Sequence, residues 1–281
     1  MPTLLAPDGV SLYYESYEPR VAVPGRPAVL FITGWSDHAG RWQEAGTRLS
    51  ERGYRVHVLD QRGHGRSHGA RGHLSRFSQL LGDLQAFRRA VRARAPAPHV
   101  LVGHSFGGLV VLRYLESQPS DPILAAAVSS PFLGLAQDPP LWRRLGARML
   151  GDLWPTLSVR ARIDPQHVSR DHVLNDAYAA DPLVHDRMTI GAWHEIHWAQ
   201  RAVVADGGRV ECPLQFLLAG EDRIVDAHLA RAFAGGLKVP TEVRWYPEMY
   251  HEVLHDPGRE AAFTDLLAFL DRSGTEPGSR T

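Results

Sequence analysis

At 281 residues, roughly three-quarters of the unfolded surface can be buried on folding, so a large core is available. Hydrophobic residues at 44% and charged residues at 22% exclude a disordered or fibrous chain, and 31 basic against 31 acidic residues leave no excess for a nucleic-acid partner. One cysteine, Cys212, excludes an intrachain disulfide, and Lys238, the only lysine, confines any Schiff-base chemistry to that position.

Met1 to Val10 lacks the basic and apolar regions of a secretory leader, and the longest apolar runs fall far short of a membrane span. A soluble, cytoplasmic protein is expected. In chain order, Ser11 to Tyr17 alternates and predicts a half-exposed strand. Ala28 to Ile32 is a short apolar run ending at Thr33-Gly34, as a buried strand would. Arg41 to Ser50 has helical spacing and stops before Gly53. Arg55 to Leu59 predicts a strand. Phe77 to Arg94 predicts a helix, with Phe77, Leu80, Leu84, Phe87 and Val91 at steps of three and four. Pro96 and Pro98 break the chain, then His99 to Val102 predicts a strand, Phe106 to Ser117 a helix and Ile123 to Val128 a strand. Several strands are continuous apolar runs, which indicates a mainly parallel sheet covered by helices on both faces.

The alternation stops at Pro131. From there to about Gly208 no strand is predicted, only helical patterns, aromatics and turn signals. It resumes with a strand at Pro213 to Leu218, a helix at Asp226 to Ala234, a strand at Glu242 to Tyr246 and a helix at Arg259 to Leu270. The expected organisation is therefore a core from residues 1–130 and 209–271, an inserted helical cap at 131–208, and a flexible polar tail at 272–281. An insertion of that length exceeds a plain connection and reads as a lid or binding element.

The most specific local feature is Gly103-His104-Ser105-Phe106-Gly107, which follows an apolar strand and opens an apolar helix. A sharp strand-to-helix turn exposes the serine oxygen at the carboxyl end of a sheet, and bulk two residues to either side would clash. Ser105 is the candidate nucleophile. It needs a base, and the base an orienting acid; hydrolases with this kind of strand-to-helix serine turn carry them in the chain order serine, acid, histidine. Leu217 to Asp222 places carboxylates just beyond a buried strand, and Asp222 is the candidate acid. Asp226 directly precedes a helix and reads as its N-cap. His251 follows the strand ending at Tyr246 and is the candidate base, with His255 in reserve. His64, His68 and His73 lie in one loop without cysteine and read as structural or solvated, and no metal is implied. The oxyanion needs two donors. The N–H of Phe106 supplies one, and the N–H of Trp35, beside Gly34, the other.

Together with Asp60-Gln61-Arg62-Gly63-His64-Gly65-Arg66-Ser67, Ser129-Ser130-Pro131-Phe132, Asp181-Pro182-Leu183-Val184 and Gly220-Glu221-Asp222-Arg223, these segments resemble the α/β-hydrolase superfamily. Within it the chain resembles the monoacylglycerol lipase and lysophospholipase group, over roughly residues 8–271. The resemblance implies an α/β-hydrolase fold with an inserted helical cap. It also implies Ser105, Asp222 and His251 as triad, Trp35 and Phe106 as oxyanion donors, and no cofactor. One departure is Thr33-Gly34, where the group usually has His-Gly.

The cap is apolar, with Trp142, Leu145 and Trp154 among its large side chains. They are candidate walls of an acyl pocket, and also candidate members of the cap's own core. A small-molecule lipid ester is the expected substrate, since each buried methylene of an acyl chain gains roughly 0.8 kcal/mol. An apolar cap also leaves room for transient contact with a membrane surface. The rivals are a proline-type aminopeptidase, which needs cap carboxylates such as Glu195 for the substrate amine, a small-ester esterase, and a non-catalytic binding protein.

Overall fold

The computed structural model describes residues 2–117, 122–137, 140 and 153–275. Eight strands form one sheet: β1 (Thr3–Leu5), β2 (Ser11–Tyr17), β3 (Ala28–Ile32), β4 (Arg55–Leu59), β5 (His99–His104), β6 (Ala125–Ser129), β9 (Leu214–Ala219) and β10 (Thr241–Tyr246). Their spatial order is β1-β2-β4-β3-β5-β6-β9-β10. β1 and β2 pair antiparallel, β2 runs antiparallel to β4, and every pairing from β4 to β10 is parallel.

Every residue of β3, β5, β6 and β9 is buried. This is why they read as unbroken apolar runs: successive side chains point to opposite faces, and both faces are covered. Leu30, Ile32, Leu101 and Leu218 face one core with α2 (Ser78–Arg94), α3 (Phe106–Ser117) and α6 (Ala227–Gly235). Val29, Phe31, Val102 and Leu217 face the other with α1 (Gln43–Glu51) and α7 (Arg259–Thr275). Burying one Leu or Phe of this kind stabilises the fold by about 1.5–3 kcal/mol. The chain leaves β3 toward β4 on one side and returns to β5 on the other. The crevice beyond the carboxyl ends of β3 and β5 is thus the place where ligands settle in open α/β sheets.

The insertion lies between β6 and β9 and differs from expectation in one way. It contains strands: β7 (Ser158–Arg160) pairs antiparallel with β8 (Arg187–Thr189). β7 is exposed along its whole length, so no apolar alternation marks it. Its helices are α4 (His172–Ala180), whose Asp171 carboxylate accepts from the N–H groups of Val173 and Leu174, and α5 (Ile190–Asp206), capped by Thr189. α5 packs directly on the core that covers the sheet. Ala192, Ile196, Ala199 and Val203 of α5 are fully buried in the same core as α3.

Two smaller differences sit at the ends. β1 was not foreseen, because three residues with only Leu4 buried carry no readable period. The tail expected from residue 272 is helical as far as Thr275. Arg272 pairs with Glu242 at 2.6 Å, and the Ser273 hydroxyl donates to the Phe269 carbonyl at 2.9 Å, which carries the last turn past the apolar stripe.

Candidate active site

Ser105 sits between β5 and α3 with φ 51°. A non-glycine residue in the left-handed region is strained and persists only where its surroundings hold it. Here the Ser105 N–H donates to the Ser129 carbonyl at 2.9 Å, and the Phe132 N–H donates to the Ser105 carbonyl at 3.0 Å. The flanking glycines are required by contact. A Cβ on Gly107 would lie 2.1 Å from the Ile32 carbonyl oxygen, and one on Gly103 would lie 2.6 Å from the Gly107 oxygen. Phe106 is the first residue of α3, so its N–H has no acceptor within the helix.

Asp222 follows β9 and its side chain is fully buried. One oxygen accepts from the N–H groups of Ile224 and Val225, both at 2.9 Å, and the other accepts from His251 Nδ1 at 2.7 Å. A carboxylate only accepts, so Nδ1 carries the ring proton and Nε2 keeps its lone pair, the form that can take a proton from a hydroxyl. Burial works against charge on His251, but the carboxylate of Asp222, with Glu252 and Asp37 beyond it, holds its pKa above the ordinary histidine value. Burial likewise opposes charge on Asp222, and His251 with the two N–H donors keeps its pKa low. The Ser130 hydroxyl donates to the His251 carbonyl at 2.8 Å, tying the histidine loop to the end of β6.

Asp226 caps α6, its carboxylate accepting from the Leu229 N–H at 2.9 Å. His255 is engaged elsewhere, with Nδ1 2.6 Å from Glu252. Thr33 is held by its hydroxyl, which donates to the Leu59 carbonyl at 3.0 Å, and by its carbonyl, which accepts from Gln61 Nε2 at 2.6 Å. Trp154 is 61% exposed in this conformation, while Trp142 and Leu145 lie outside the described residues. His64 is buried against Trp35. Among the described residues no group of His, Cys, Asp and Glu has the arrangement of a metal site.

Behind the pair lies a buried charge network that sequence reading missed. Arg41 donates to Asp37 at 2.8 Å and to both oxygens of Glu252 at 2.8 and 2.7 Å, and its guanidinium stands over the Tyr178 ring at 4.6 Å. Asp37 also accepts from the Gly34 N–H at 3.1 Å and from the Trp42 indole at 2.7 Å, so it fixes the loop that carries Trp35. His104 fills the space between Trp42 and His251, with ring centroids 5.1 and 4.8 Å away. The one local signal was the four-residue spacing of Asp37 and Arg41; Glu252 is 211 residues from Arg41 and gave none. The Asp181 segment of the insertion meets the loop after β3. His38 Nε2 donates to Asp181 at 2.8 Å, and the same side chain caps its own turn at Leu183.

A mostly parallel sheet covered on both faces, a strained serine between strand and helix, and a buried carboxylate–histidine pair at the same edge define an α/β-hydrolase. The chain belongs to one family of that fold, the serine aminopeptidase S33 family, whose profile matches residues 24–258. An abhydrolase domain-containing protein of Dictyostelium discoideum is 29% identical over 271 residues; this covers 95% of the chain, which spans only 28% of that relative's length. A monoacylglycerol lipase of Mycolicibacterium smegmatis is 28% identical over 267 residues, covering 93% of each. Among solved structures, the monoacylglycerol lipase of Paleococcus ferrophilus superposes with a TM-score of 0.84 at 28% identity, over 93% of this chain and 99% of the other.

Proposed function

We propose that the protein is a serine carboxylic ester hydrolase acting on monoacylglycerols or lysophospholipids. The observation that carries the reading is the buried 2.7 Å hydrogen bond between His251 and Asp222 at the edge of the sheet that bears the Ser105 turn. His251 Nε2 takes the hydroxyl proton as Ser105 attacks the ester carbonyl, and Asp222 stabilises the imidazolium that forms. The N–H groups of Trp35 and Phe106 receive the oxyanion. The alcohol leaves with the proton from His251, and water then releases the acid by the same route. The lipid substrate is supported by the similarity to two monoacylglycerol lipases and by the apolar insertion at 131–208, proposed as the cap over the acyl chain.

The exposed strip Leu153, Trp154, Leu157 and Val159 on the insertion is suited to transient contact with a lipid surface. No described helix is long and apolar enough to cross a membrane. The family's name raises a second reading, aminopeptidase action. It is less favoured because Glu195, one of the insertion carboxylates that could hold a substrate amine, accepts the Phe77 N–H at 2.6 Å instead. Purified protein incubated with monoacylglycerols, lysophospholipids, short p-nitrophenyl esters and prolyl amides tests the proposal. Turnover of the lipid esters in preference to the others is expected, and hydrolysis confined to the prolyl amides would overturn it.

A further inference from the structure

Three ring nitrogens beside the Ser105 turn lack a hydrogen-bond partner: Trp35 Nε1, His64 Nε2 and His185 Nε2. Trp35 is 8% exposed and His64 3%. Leaving one buried donor or acceptor unpaired is costly, and native structures rarely do so without cause. Three in one cluster call for an explanation. Their rings form a triangle, with centroids 4.9 Å apart for Trp35 and His64, 4.8 Å for His64 and His185, and 5.9 Å for Trp35 and His185. The Trp35 ring also meets that of Phe106 at 5.1 Å, so the triangle abuts both residues assigned to the oxyanion hole.

Three separate segments supply the corners. Trp35 follows β3, His64 follows β4, and His185 lies just before β8 in the insertion. The Ser36 hydroxyl donates to the His185 carbonyl, which fastens the insertion's corner to the loop after β3.

The neighbours fix the proton positions. His64 Nδ1 lies 2.8 Å from the Arg62 carbonyl, which can only accept, so Nδ1 bears the proton and Nε2 is an acceptor. His185 Nδ1 accepts from the Arg187 N–H at 3.3 Å, so its proton is on Nε2, a donor. The Trp35 indole is a donor only. Burial keeps both imidazoles neutral: His64 is pushed down to about 3 and His185 to about 4. The cluster therefore presents two donors and one acceptor.

We propose that Trp35, His64 and His185 form a subsite for one hydroxyl group of the substrate, accepting from Trp35 Nε1 and His185 Nε2 and donating to His64 Nε2. A hydroxyl oxygen has that complement, two lone pairs and one proton. An ester or ether oxygen cannot donate to His64, a carboxylate cannot either, and an ammonium cannot accept from the two donors. The inference rests on the ester-hydrolase reading and adds a selection rule: the substrate carries a free hydroxyl within reach of the oxyanion hole, as a partial glyceride or a lysophospholipid does. An ordered water has the same chemistry and is the alternative occupant.

The test compares glyceryl monobutyrate with n-propyl butyrate, which share the acyl group and differ by two hydroxyls. The ratio of their kcat/KM values is measured in the wild type, His64→Phe and His185→Phe, with circular dichroism to check folding. The wild type is expected to favour the glyceryl ester, and each variant to lose about tenfold of that preference, the equivalent of one hydrogen bond. In a second measurement, made on Ser105→Ala, the Trp35 indole N–H resonance, assigned with Trp35→Phe, is expected to shift with glyceryl monobutyrate and not with propyl butyrate. If both esters are hydrolysed but the ratio stays at the wild-type value in both variants, water occupies the site and the subsite is overturned while the hydrolase reading stands. If the wild type hydrolyses neither ester, the hydrolase reading falls and the subsite with it.

Discussion

Along β3, β5, β6 and β9 every residue is buried, whereas β7 of the insertion is exposed throughout and Trp154, Leu157 and Val159 around it face outward. The polar groups differ in the same sense. On the core side, Asp222 is bonded to His251 at 2.7 Å, and Arg41 is bonded to Asp37 and Glu252 at 2.7 to 2.8 Å. Toward the insertion, ring nitrogens of Trp35, His64 and His185 are left without partners. The side that carries the proposed base and acid is held by hydrogen bonds around them. The side proposed to receive the substrate keeps donors, an acceptor and apolar surface unused.

The sharpest break in this comparison comes from the acids after β9. Asp222→Asn is expected to lower kcat by about 10⁴-fold, because an amide no longer fixes the tautomer or stabilises the imidazolium. Asp226→Asn removes only part of a helix cap and is expected to cost about 1 kcal/mol or less with kcat kept. Steady-state kinetics and urea unfolding of both variants separate the two roles.

Arg41→Met is next. It leaves Asp37 and Glu252 buried without their cation, and a loss of about 3–5 kcal/mol in urea unfolding is expected. Acidification probes the same contrast. The folded pKa values of His64 and His104 are both depressed to about 3, chiefly by burial. The stability they contribute is present above the unfolded value of about 6.5 and is lost as pH falls toward 3, at about 1.4 kcal/mol per pH unit for each histidine. His251 has the opposite sign: its raised pKa contributes stability below about 6.5 that is lost as pH rises through the folded value. Melting temperature should therefore fall steadily below pH 6.5, and the acid limb of kcat/KM should lie above the ordinary histidine pKa. The smallest effect belongs to the insertion. Trp154→Ala should change stability by no more than about 0.5 kcal/mol, as exposed substitutions do, while slowing turnover of micellar esters relative to dissolved ones.

The legibility of the sequence follows the same division. β3 and β4 fall where their mainly apolar runs place them, because two covered faces leave a near-unbroken pattern, and β2 falls where its alternation places it although Leu12, Tyr13 and Tyr14 are all buried. The Ser105 turn was readable because its glycines are demanded by backbone contacts within a few residues and across to β3. β7 and β8 were not readable, since a strand of three residues, exposed in β7 and two-thirds buried in β8, is too short to show a period. The Arg41–Glu252 pair was not readable either, because it depends on the fold bringing distant loops together. His64 reads as a structural or solvated histidine in a loop; only the fold sets its ring against Trp35 and His185.

The account turns on Ser105 as a nucleophile activated by the Asp222–His251 pair. The most direct measurement is labelling by a fluorophosphonate, read by intact mass and peptide mapping in the wild type, Ser105→Ala and His251→Ala. One adduct on Ser105 is predicted in the wild type, none in Ser105→Ala, and labelling slowed by orders of magnitude in His251→Ala, with all three proteins folded by circular dichroism. Labelling of Ser105→Ala at the wild-type rate, or an adduct mapped to another residue, would contradict it.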